Sequence, residues 1–383
     1  MTATLPYATG RRYLDADSHL MELPGWLAEF ADPAIRDRIR PLHLGGAGKL
    51  AADAVERAEQ RRGDDAAAHA LEERLMSAKG WHALGAFDTA ERSRALDLLG
   101  FDAQLVFSTF AATQFAGDDL ELLYGGTRAH NRAMAAFCGD DPRLLPVAYA
   151  PWNDPEAMFE TVVDALALGA AAVHLPSRPP RRGKGPSHPD YDPVWAALAD
   201  ASVPFVLHIG GAGRLIPSEF HDNGRPVSDF LGGGENVRAK DYMGVAHMTE
   251  TFLAALIFDG VLERFPRLRG GSIEQGAMWV VPWIRRLDLA QRSFGRNEPL
   301  LRDLPKPPSE YVRDRLYFTP FPGEPVGWMI DQSGDELYCF SSDYPHPEGT
   351  KNPLERFEAT LDSVTEAAKQ RFYHDNLAAM LGR

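Results

Sequence analysis

Short apolar runs alternate with amphipathic segments along most of the chain. Gly, Pro, Ser or Asp closes each run, as is typical of strands buried in a parallel sheet. Between the runs, apolar residues recur at helical spacing, as in Pro155–Leu168, Pro193–Ala201 and Thr251–Arg264. The predicted strands are Tyr13–Asp17, Gln104–Ser108, Leu145–Ala150, Ala171–Leu175, Phe205–Ile209, Leu268–Glu274, Arg315–Thr319 and Glu336–Ser341.

Eight strands that alternate with helices predict a (β/α)8 TIM barrel in a single domain, residues 1–383. A doubly wound open sheet usually has fewer strands and a Gly-rich turn after the first, where this chain has DADSH. The Ala-, Glu- and Arg-rich stretch Ala51–Ala78 predicts one or two exposed helices. We therefore expect a helical insertion after strand 1, at approximately 40–81, that acts as a cap or an oligomer arm. The Gly-rich stretch Gly210–Asp241 predicts a long mobile loop over the barrel mouth.

Composition narrows the class of protein. Hydrophobic residues make up 44% and charged residues 25% of the 383 residues, which is typical of a folded soluble protein. The net charge of -14 argues against nucleic-acid or membrane partners, and no apolar run reaches the roughly 20 residues of a membrane span. Cys138 and Cys339 are expected to be buried, reduced thiols. We expect a cytoplasmic protein that forms a homodimer or a higher homo-oligomer and acts on a small-molecule substrate.

Titratable residues end several predicted strands, where barrel enzymes form their active sites. Asp17 and His19 are two residues apart, so an extended chain turns both side chains to one face. His208 ends the apolar run VPFVLH, and by itself it equally fits a core histidine that is bonded to a carbonyl. Asp343 follows another apolar run, and a carboxylate there is costly unless it is paired, hydrogen-bonded or bound to a metal. Together, two imidazoles and two carboxylates suit one Zn²⁺, Mn²⁺ or Fe²⁺ ion.

Several stretches resemble the amidohydrolase-related family 2 proteins of the amidohydrolase superfamily. They are LDADSHLMELP, FVLHIGG, GVLERFPRLRGGSIEQGAMWVVP and CFSSDYPHPEG, and ERSRALDLLGFDAQLVFST and FYHDNLAAML extend the resemblance to nearly the whole chain outside residues 40–81. The family includes aminocarboxymuconate semialdehyde decarboxylase, γ-resorcylate decarboxylase and 5-carboxyvanillate decarboxylase. The resemblance implies a (β/α)8 barrel with one divalent metal ion, held here by Asp17, His19, His208 and Asp343.

Two residues depart from the family pattern. Asp17 stands where the family has His or Glu, which raises the negative charge around the metal and favours a harder ion than zinc. Glu274, in SIEQG, stands where the decarboxylases have an acid/base His. A carboxyl group can take that role when burial raises its pKa, but Glu274 also fits a structural carboxylate bonded to a neighbouring Arg or Trp.

Further residues near the predicted strand ends are candidates for catalysis or substrate binding. Asp343 and His346 are catalytic candidates in addition to Glu274. His174 is expected either to line the pocket or to support a side chain that binds the metal. Arginines in the loops after strands 4 and 5 fit either a substrate carboxylate or ordinary surface charge. These are Arg178, Arg181, Arg182 and Arg214.

We therefore expect a metal-dependent decarboxylase or hydrolase of a small carboxylated, aromatic or conjugated cyclic compound. For decarboxylation, Glu274 or His346 delivers a proton to the carbon that loses CO2. For hydrolysis, Glu274 or Asp343 takes the proton of an attacking water. The alternative is a non-catalytic barrel that binds a small ligand and keeps the metal ion for structure.

Overall fold

Seven parallel strands form the centre of the fold. The computed structural model describes residues 6–44, 47–181, 183–210, 215–225 and 238–383, and within them the strands lie side by side in chain order. The sheet curls into a half-barrel of the TIM-like α/β class, with helices between consecutive strands. The strands are β1 (Leu14–Leu20), β2 (Ala103–Ser108), β3 (Leu144–Tyr149), β4 (Ala172–His174), β5 (Phe205–His208), β6 (Gly270–Ile273) and β7 (Leu316–Phe318).

The α-helices follow the predicted alternation with the strands. In chain order they are α1 (Pro33–Arg36), α2 (Gly48–Arg61), α3 (Asp65–Glu72), α4 (Thr89–Leu99), α5 (Leu120–Cys138), α6 (Pro155–Ala167), α7 (Asp192–Ala201), α8 (Ala239–Gly244), α9 (His247–Phe258), α10 (Val261–Arg264), α11 (Val280–Phe294), α12 (Pro299–Arg302), α13 (Pro308–Arg315), α14 (Val326–Ser333), α15 (Pro353–Glu358), α16 (Glu366–Gln370) and α17 (Asn376–Met380). The predicted helix Thr251–Arg264 is two helices, α9 and α10. Gly260 separates them with a φ of 70°, in the left-handed region that glycine adopts readily.

The predicted eighth strand, Glu336–Ser341, does not form a regular strand. Single parallel bridges join Tyr338 to Phe318 of β7 and Tyr344 to Ser18 of β1. The segment 337–344 therefore contacts both edges of the sheet without a continuous ladder. Asp343 has a φ of 51°, which is incompatible with extended backbone and interrupts the segment close to its end.

Two helices, α2 and α3, occupy the stretch between β1 and β2 for which exposed helices are predicted. One face of this pair is not exposed, because Ala51, Ala54 and Leu71 are buried in the main apolar core. The prediction of exposed helices is therefore wrong for that face. The adjoining residues 79–82 continue inward to the cavity described below.

The sheet packs apolar side chains on both faces. Leu105 and Phe107 of β2 belong to one buried cluster and Val106 to another, as the alternation of side chains along a strand requires. The thiols of Cys138 and Cys339 are buried and unbridged, as predicted. Among the described residues, no helix is both long enough and apolar enough to cross a bilayer.

Half of the mobile loop predicted for Gly210–Asp241 lies outside the described residues. The structure describes neither 211–214 nor 226–237. The end of this stretch forms the first turn of α8.

Candidate metal centre and active site

Four side chains converge at the carboxyl ends of β1, β5 and β6. Asp17 and His19 come from β1, and His208 is the last residue of β5. His19 Nε2 lies 3.1 Å, and His208 Nε2 lies 3.4 Å, from Asp17 Oδ1. Glu274, directly after β6, brings its Oε2 atom to 3.3 Å from His208 Nε2. One ligand atom of each residue lies within 4.8 Å of the other three, close enough for all four to meet one metal ion.

Asp343 and His346 extend this cluster from the last segment of the sheet. Asp343 Oδ1 lies 3.6 Å from His19 Nε2 and 3.0 Å from His346 Nδ1. The ring of His346 stacks on that of His19, with centroids 3.8 Å apart. His19, Glu274, Asp343 and His346 form a second group whose ligand atoms also lie within 4.8 Å of one another. His19 and Glu274 belong to both groups, so the two make one compact site.

The backbone directs these side chains in two ways. In β1 the chain turns Asp17 and His19 to one face; Asp17 lies within a shift in the β1–β2 register between Asp15 and Ser18, and His19 follows it. Glu274 and Asp343 instead have φ angles of 54° and 51°, in the left-handed region that non-glycine residues rarely adopt. Such conformations concentrate at functional sites, where surrounding structure maintains them.

The outer nitrogens of the histidine rings have fixed partners. His208 Nδ1 donates to the carbonyl oxygen of Ile209 at 2.7 Å, so in the neutral ring Nε2 carries the lone pair that faces the cluster. The Thr109 hydroxyl lies 3.4 Å from His19 Nδ1 and 3.0 Å from His346 Nε2. It also donates to the Leu20 carbonyl at 2.8 Å. Thr109 therefore orients two rings of the site from behind.

Burial and neighbouring charges set the protonation of the cluster. Burial alone would raise the pKa of Asp17, but His208 and His19 outweigh it and hold that pKa well below its usual range. Burial, reinforced by His346, lowers the pKa of His19 to about 4. Asp17 is thus a carboxylate and His19 a neutral imidazole at pH 7, which are the forms that bind metal ions. For His346, burial is outweighed by the carboxylate of Asp343, which raises its pKa to about 9.

A buried carboxyl group joins β1 to the last segment just behind the cluster. Asp15 accepts hydrogen bonds from the Ser342 amide at 2.8 Å, the Ser342 hydroxyl at 2.6 Å and the Gln104 side chain at 2.7 Å. Burial raises the pKa of Asp15 to about 7, although these hydrogen bonds lower it. The buried guanidinium of Arg92 donates to the His19 carbonyl at 3.0 Å. These contacts fix the backbone of β1 and Ser342 next to the proposed ligands.

The cluster opens into a cavity of about 250 Å³. His19, His174, His208, Glu274 and His346 line it on the side of the strand ends, and residues 47–50, 79–82 and 108–113 contribute to the rest. In this second part, the rings of Trp81 and Phe110 stack with centroids 5.7 Å apart and planes inclined by 14°. The cavity thus combines a charged floor with a flat aromatic surface.

The predicted substrate-binding residues have different positions. His174 lines the cavity, and its ring packs 5.3 Å from Tyr149 and 5.8 Å from His208. Burial, with the charge of His208, lowers the pKa of His174 well below its usual value. Arg178 is exposed and is not among the described residues that line the cavity. Arg214 and Arg182 lie outside the described residues.

Sequence reasoning missed several residues of this site. Thr109 and Phe110 follow β2, and a search for polar residues after every predicted strand would have found Thr109. Lys79 and Trp81 follow α3 in the stretch predicted as an insertion, and no strand-end pattern marks them. Glu22 accepts hydrogen bonds from the backbone N–H groups of Thr109, Phe110 and Ala111 at 2.8–3.1 Å. No local motif predicts these bonds, because the partners lie far apart in the chain.

Solved structures with this fold cover nearly the whole chain. An amidohydrolase from Mycobacterium avium subsp. paratuberculosis K-10 is similar over 98% of this chain and 100% of that one, with 22% identity and a TM-score of 0.74. A 5-carboxyvanillate decarboxylase from Novosphingobium aromaticivorans, complexed with manganese and 4-hydroxy-3-methoxy-5-nitrobenzoic acid, is similar over 100% of both chains, with 17% identity and a TM-score of 0.64. A dihydroxybenzoic acid decarboxylase from Polaromonas sp. JS666, with manganese and 2-nitroresorcinol, covers 97% of both chains, with 16% identity and a TM-score of 0.63. At these identities the likeness shows the fold.

No curated protein matches the chain by sequence. The amidohydrolase family model, in contrast, matches residues 15–383, a range that contains every residue of the cluster. The chain therefore belongs to the amidohydrolase family.

Proposed function

We propose that the protein is a metal-dependent decarboxylase of a small aromatic or conjugated cyclic acid. One observation carries the proposal: Asp17, His19 and His208 meet at the strand ends below a cavity with a flat aromatic wall. The family membership and the manganese-bound aromatic-acid decarboxylases of the same fold support it.

The residues of the cluster fit a divalent metal ion. Asp17 Oδ2, His19 Nε2 and Asp343 Oδ1 are buried and have no hydrogen-bond partner of suitable geometry within the described part of the chain. Buried polar atoms are nearly always hydrogen-bonded, so three such atoms in one cluster are costly unless a cation meets them. We infer that Asp17, His19, His208 and Asp343 hold one Mn²⁺, Zn²⁺ or Fe²⁺ ion. If the protein only bound a small ligand and did no chemistry, nothing would favour keeping these costly buried polar atoms.

The ion would supply positive charge that binds the substrate carboxylate together with an adjacent hydroxyl or carbonyl oxygen. Glu274 then acts as the general acid. Its Oε2 lies 3.3 Å from His208 Nε2, and its side chain is 15% exposed at the cavity wall. It protonates the ring carbon that bears the carboxylate, the C–C bond breaks, its electron pair returns to the ring and CO2 leaves. Solvent returns the proton to Glu274.

His346 is a positioning residue in this scheme. Each of its ring nitrogens has a neighbour 3.0 Å away, Asp343 Oδ1 on one side and the Thr109 hydroxyl on the other. Both ring nitrogens thus face protein oxygens, one across an ion pair without hydrogen-bond geometry and one at hydrogen-bond distance, which disfavours proton delivery to a substrate carbon. Glu274 is therefore the better proton donor of the two candidates.

Hydrolysis is the second candidate function. A carboxylate this close to His208 and His19 can also accept the proton of an attacking water, so the position of Glu274 suits a general base as well. The two reactions require the opposite protonation state of Glu274 at the start of the cycle, and only a substrate assay separates them.

The finer features of the fold are also proposals. We infer that the segment 337–344 serves as the eighth strand of a (β/α)8 barrel. The Cys339 amide donates to Phe318 of β7 at 2.9 Å, and the Ala16 amide of β1 donates to Phe340 at 3.0 Å, which supports this closure. A single domain over residues 1–383, an insertion at approximately 40–81, a homodimer or higher homo-oligomer and a cytoplasmic location remain predictions.

The proposed function is tested with purified protein reconstituted separately with Mn²⁺ and Zn²⁺. Elemental analysis should find about one ion per chain. A screen of hydroxybenzoates, amides and lactones, with CO2 release and hydrolysis followed separately, should find CO2 release from a hydroxybenzoate. Protein without stoichiometric metal after reconstitution would contradict the metal site, and hydrolysis without CO2 release would favour the second function.

A further inference from the structure

Lys79 places a buried cation beside the cavity. It lies between α3 and the cavity residue Trp81, and it lines the cavity itself. Its Nζ atom is buried and has no hydrogen-bond partner in the residues that the structure describes. A buried ammonium group without a hydrogen-bond partner is costly, and the carboxylates of Asp343 and Glu348 act on it through their charge without hydrogen-bonding to it.

The backbone around Lys79 is held at two points. The Gly80 amide donates to the Pro345 carbonyl at 2.8 Å, and Trp81 Nε1 donates to the Glu22 carbonyl at 3.1 Å. Gly80 has a φ of 59°, a conformation that a side chain at this position would strain. The ammonium group is thus attached to a fixed part of the wall, and its position beside the cavity does not depend on a freely moving loop.

Burial and neighbouring charges act on the protonation of Lys79 in opposite directions. Burial lowers its pKa to about 8, Lys351 acts in the same direction, and Asp343 and Glu348 oppose them. Lys79 therefore remains mostly charged at pH 7. A carboxylate that entered the cavity would find a poorly solvated ammonium group, and charge-assisted hydrogen bonds are strong in such surroundings.

We propose that Lys79 binds a second carboxylate of the substrate, distinct from the one that the metal cluster receives. This inference rests on the proposed function for the first carboxylate, and it narrows the substrate class to aromatic or conjugated cyclic dicarboxylates. The stacked rings of Trp81 and Phe110 in the same part of the wall offer a flat surface for the ring that joins the two acids.

The experiment compares isophthalate, which carries two carboxylates, with its monomethyl ester, which carries one. Their dissociation constants are measured by calorimetry on the Mn²⁺-reconstituted wild type, Lys79→Met and Lys79→Arg. We expect wild type to bind the diacid about tenfold or more tightly than the ester, because a charged hydrogen bond is gained. Lys79→Met should bring this ratio close to one, and Lys79→Arg should keep most of it. Lys351→Met is the matched control, since it removes an exposed positive charge nearby and should leave the ratio unchanged.

The inference would be overturned by no binding of the diacid to wild type, by a ratio near one in wild type, or by an unchanged ratio in Lys79→Met. An equal loss of both ligands in Lys79→Met would also overturn it, since Lys79 would then bind the first carboxylate. If Lys79→Met does not fold, Lys79→Gln provides the same comparison. The ratio requires neither turnover nor CO2 release, so it is read separately from the metal analysis and the activity screen that test the proposed function.

Discussion

The two sides of the cavity differ in how their side chains are held. The strand-end wall, formed by His19, His208 and Glu274 next to the fully buried Asp17, stands on the parallel sheet and carries buried polar atoms without hydrogen-bond partners among the described residues. The cap wall, drawn from residues 47–50, 79–82 and 108–113, consists mainly of loops and helix ends. Rigid strands suit a reaction that needs fixed donor atoms, and loops can vary to select a substrate. If this division holds, substitutions in the two walls should affect different measurements.

The largest effect is expected for Asp17→Asn in the strand-end wall. The substitution removes the carboxylate charge from the proposed metal cluster, so metal content should fall from about one ion per chain to nearly none, with loss of activity. The free energy of unfolding of the metal-free protein should fall only modestly, because the favourable contacts of Asp17 with His208 and His19 are weakened while the cost of burying a charge is removed. Elemental analysis and urea unfolding measure the two quantities.

Asp15→Asn is the matched control for that substitution. Asp15 is equally buried, but it accepts hydrogen bonds from Ser342 and Gln104 and belongs to neither group of potential metal ligands. We expect it to lose about 1–3 kcal/mol of stability while it retains metal. Full metal content in Asp17→Asn would contradict the proposed ligand set.

The next largest effect should come from Glu22→Gln, which loosens the cap wall. The Glu22 carboxylate accepts the backbone N–H groups of Thr109, Phe110 and Ala111, and an amide would turn a donor toward some of them. We expect a loss of about 1–3 kcal/mol in the free energy of unfolding and a higher KM, with metal content unchanged. Chemical unfolding and steady-state kinetics provide the measurements.

Glu324→Gln tests whether the rise in KM is specific to the cap wall. Glu324 is also buried and accepts three backbone N–H groups, those of Ala277, Met278 and Phe321, but it supports the loop after β6. It should lose similar stability with little change in KM. An equal rise in KM for both variants would remove the distinction between the two walls.

Thr109→Val should have a smaller effect, at the point where the walls meet. Valine keeps the shape but loses the hydroxyl that contacts His19 and His346. Groups that orient ligand side chains typically contribute ten- to a hundredfold to metal affinity, and we expect about tenfold here. A competition titration with a metal-binding dye measures it. Thr113→Val, in the same loop, should leave metal affinity unchanged because the Thr113 hydroxyl donates only to the Phe110 carbonyl among its described contacts.

The smallest effect is expected for Arg178→Gln. Arg178 is exposed and does not line the described part of the cavity, so KM should change by less than about twofold, as is usual for surface substitutions. A tenfold rise in KM would show that the loop after β4 reaches the substrate and belongs to the cap wall.

The two walls also differ in how far the sequence predicts them. Asp17, His19 and His208 are predictable because strand periodicity and strand order place strand ends together. Glu274 and Asp343 are found in the same way, although their left-handed backbone is not foreseen. Local patterns predict the strands to within a few residues, with the exception of the last.

The cap wall could not be predicted in this way because its contacts have no local signature. Trp81 joins Glu22 through a side-chain bond to a carbonyl, and Lys79 reaches the cavity from a stretch whose composition indicates only exposed helix. Helical periodicity reports which face of α2 is apolar, but not what that face packs against. Such contacts depend on tertiary structure, so they can be identified only when the three-dimensional fold is known.

The hydrogen bonds of Asp15 to Ser342 have a consequence for biosynthesis. They connect residues 327 positions apart, and the proposed ligands Asp17 and Asp343 are separated by almost the same length of chain. A nascent chain on the ribosome that has completed β7 still has unpaired edges on β1 and β7 and lacks one ligand. Metal loading is thus expected only after the last part of the chain has emerged, when the ion and the closing segment can lock the two edges together.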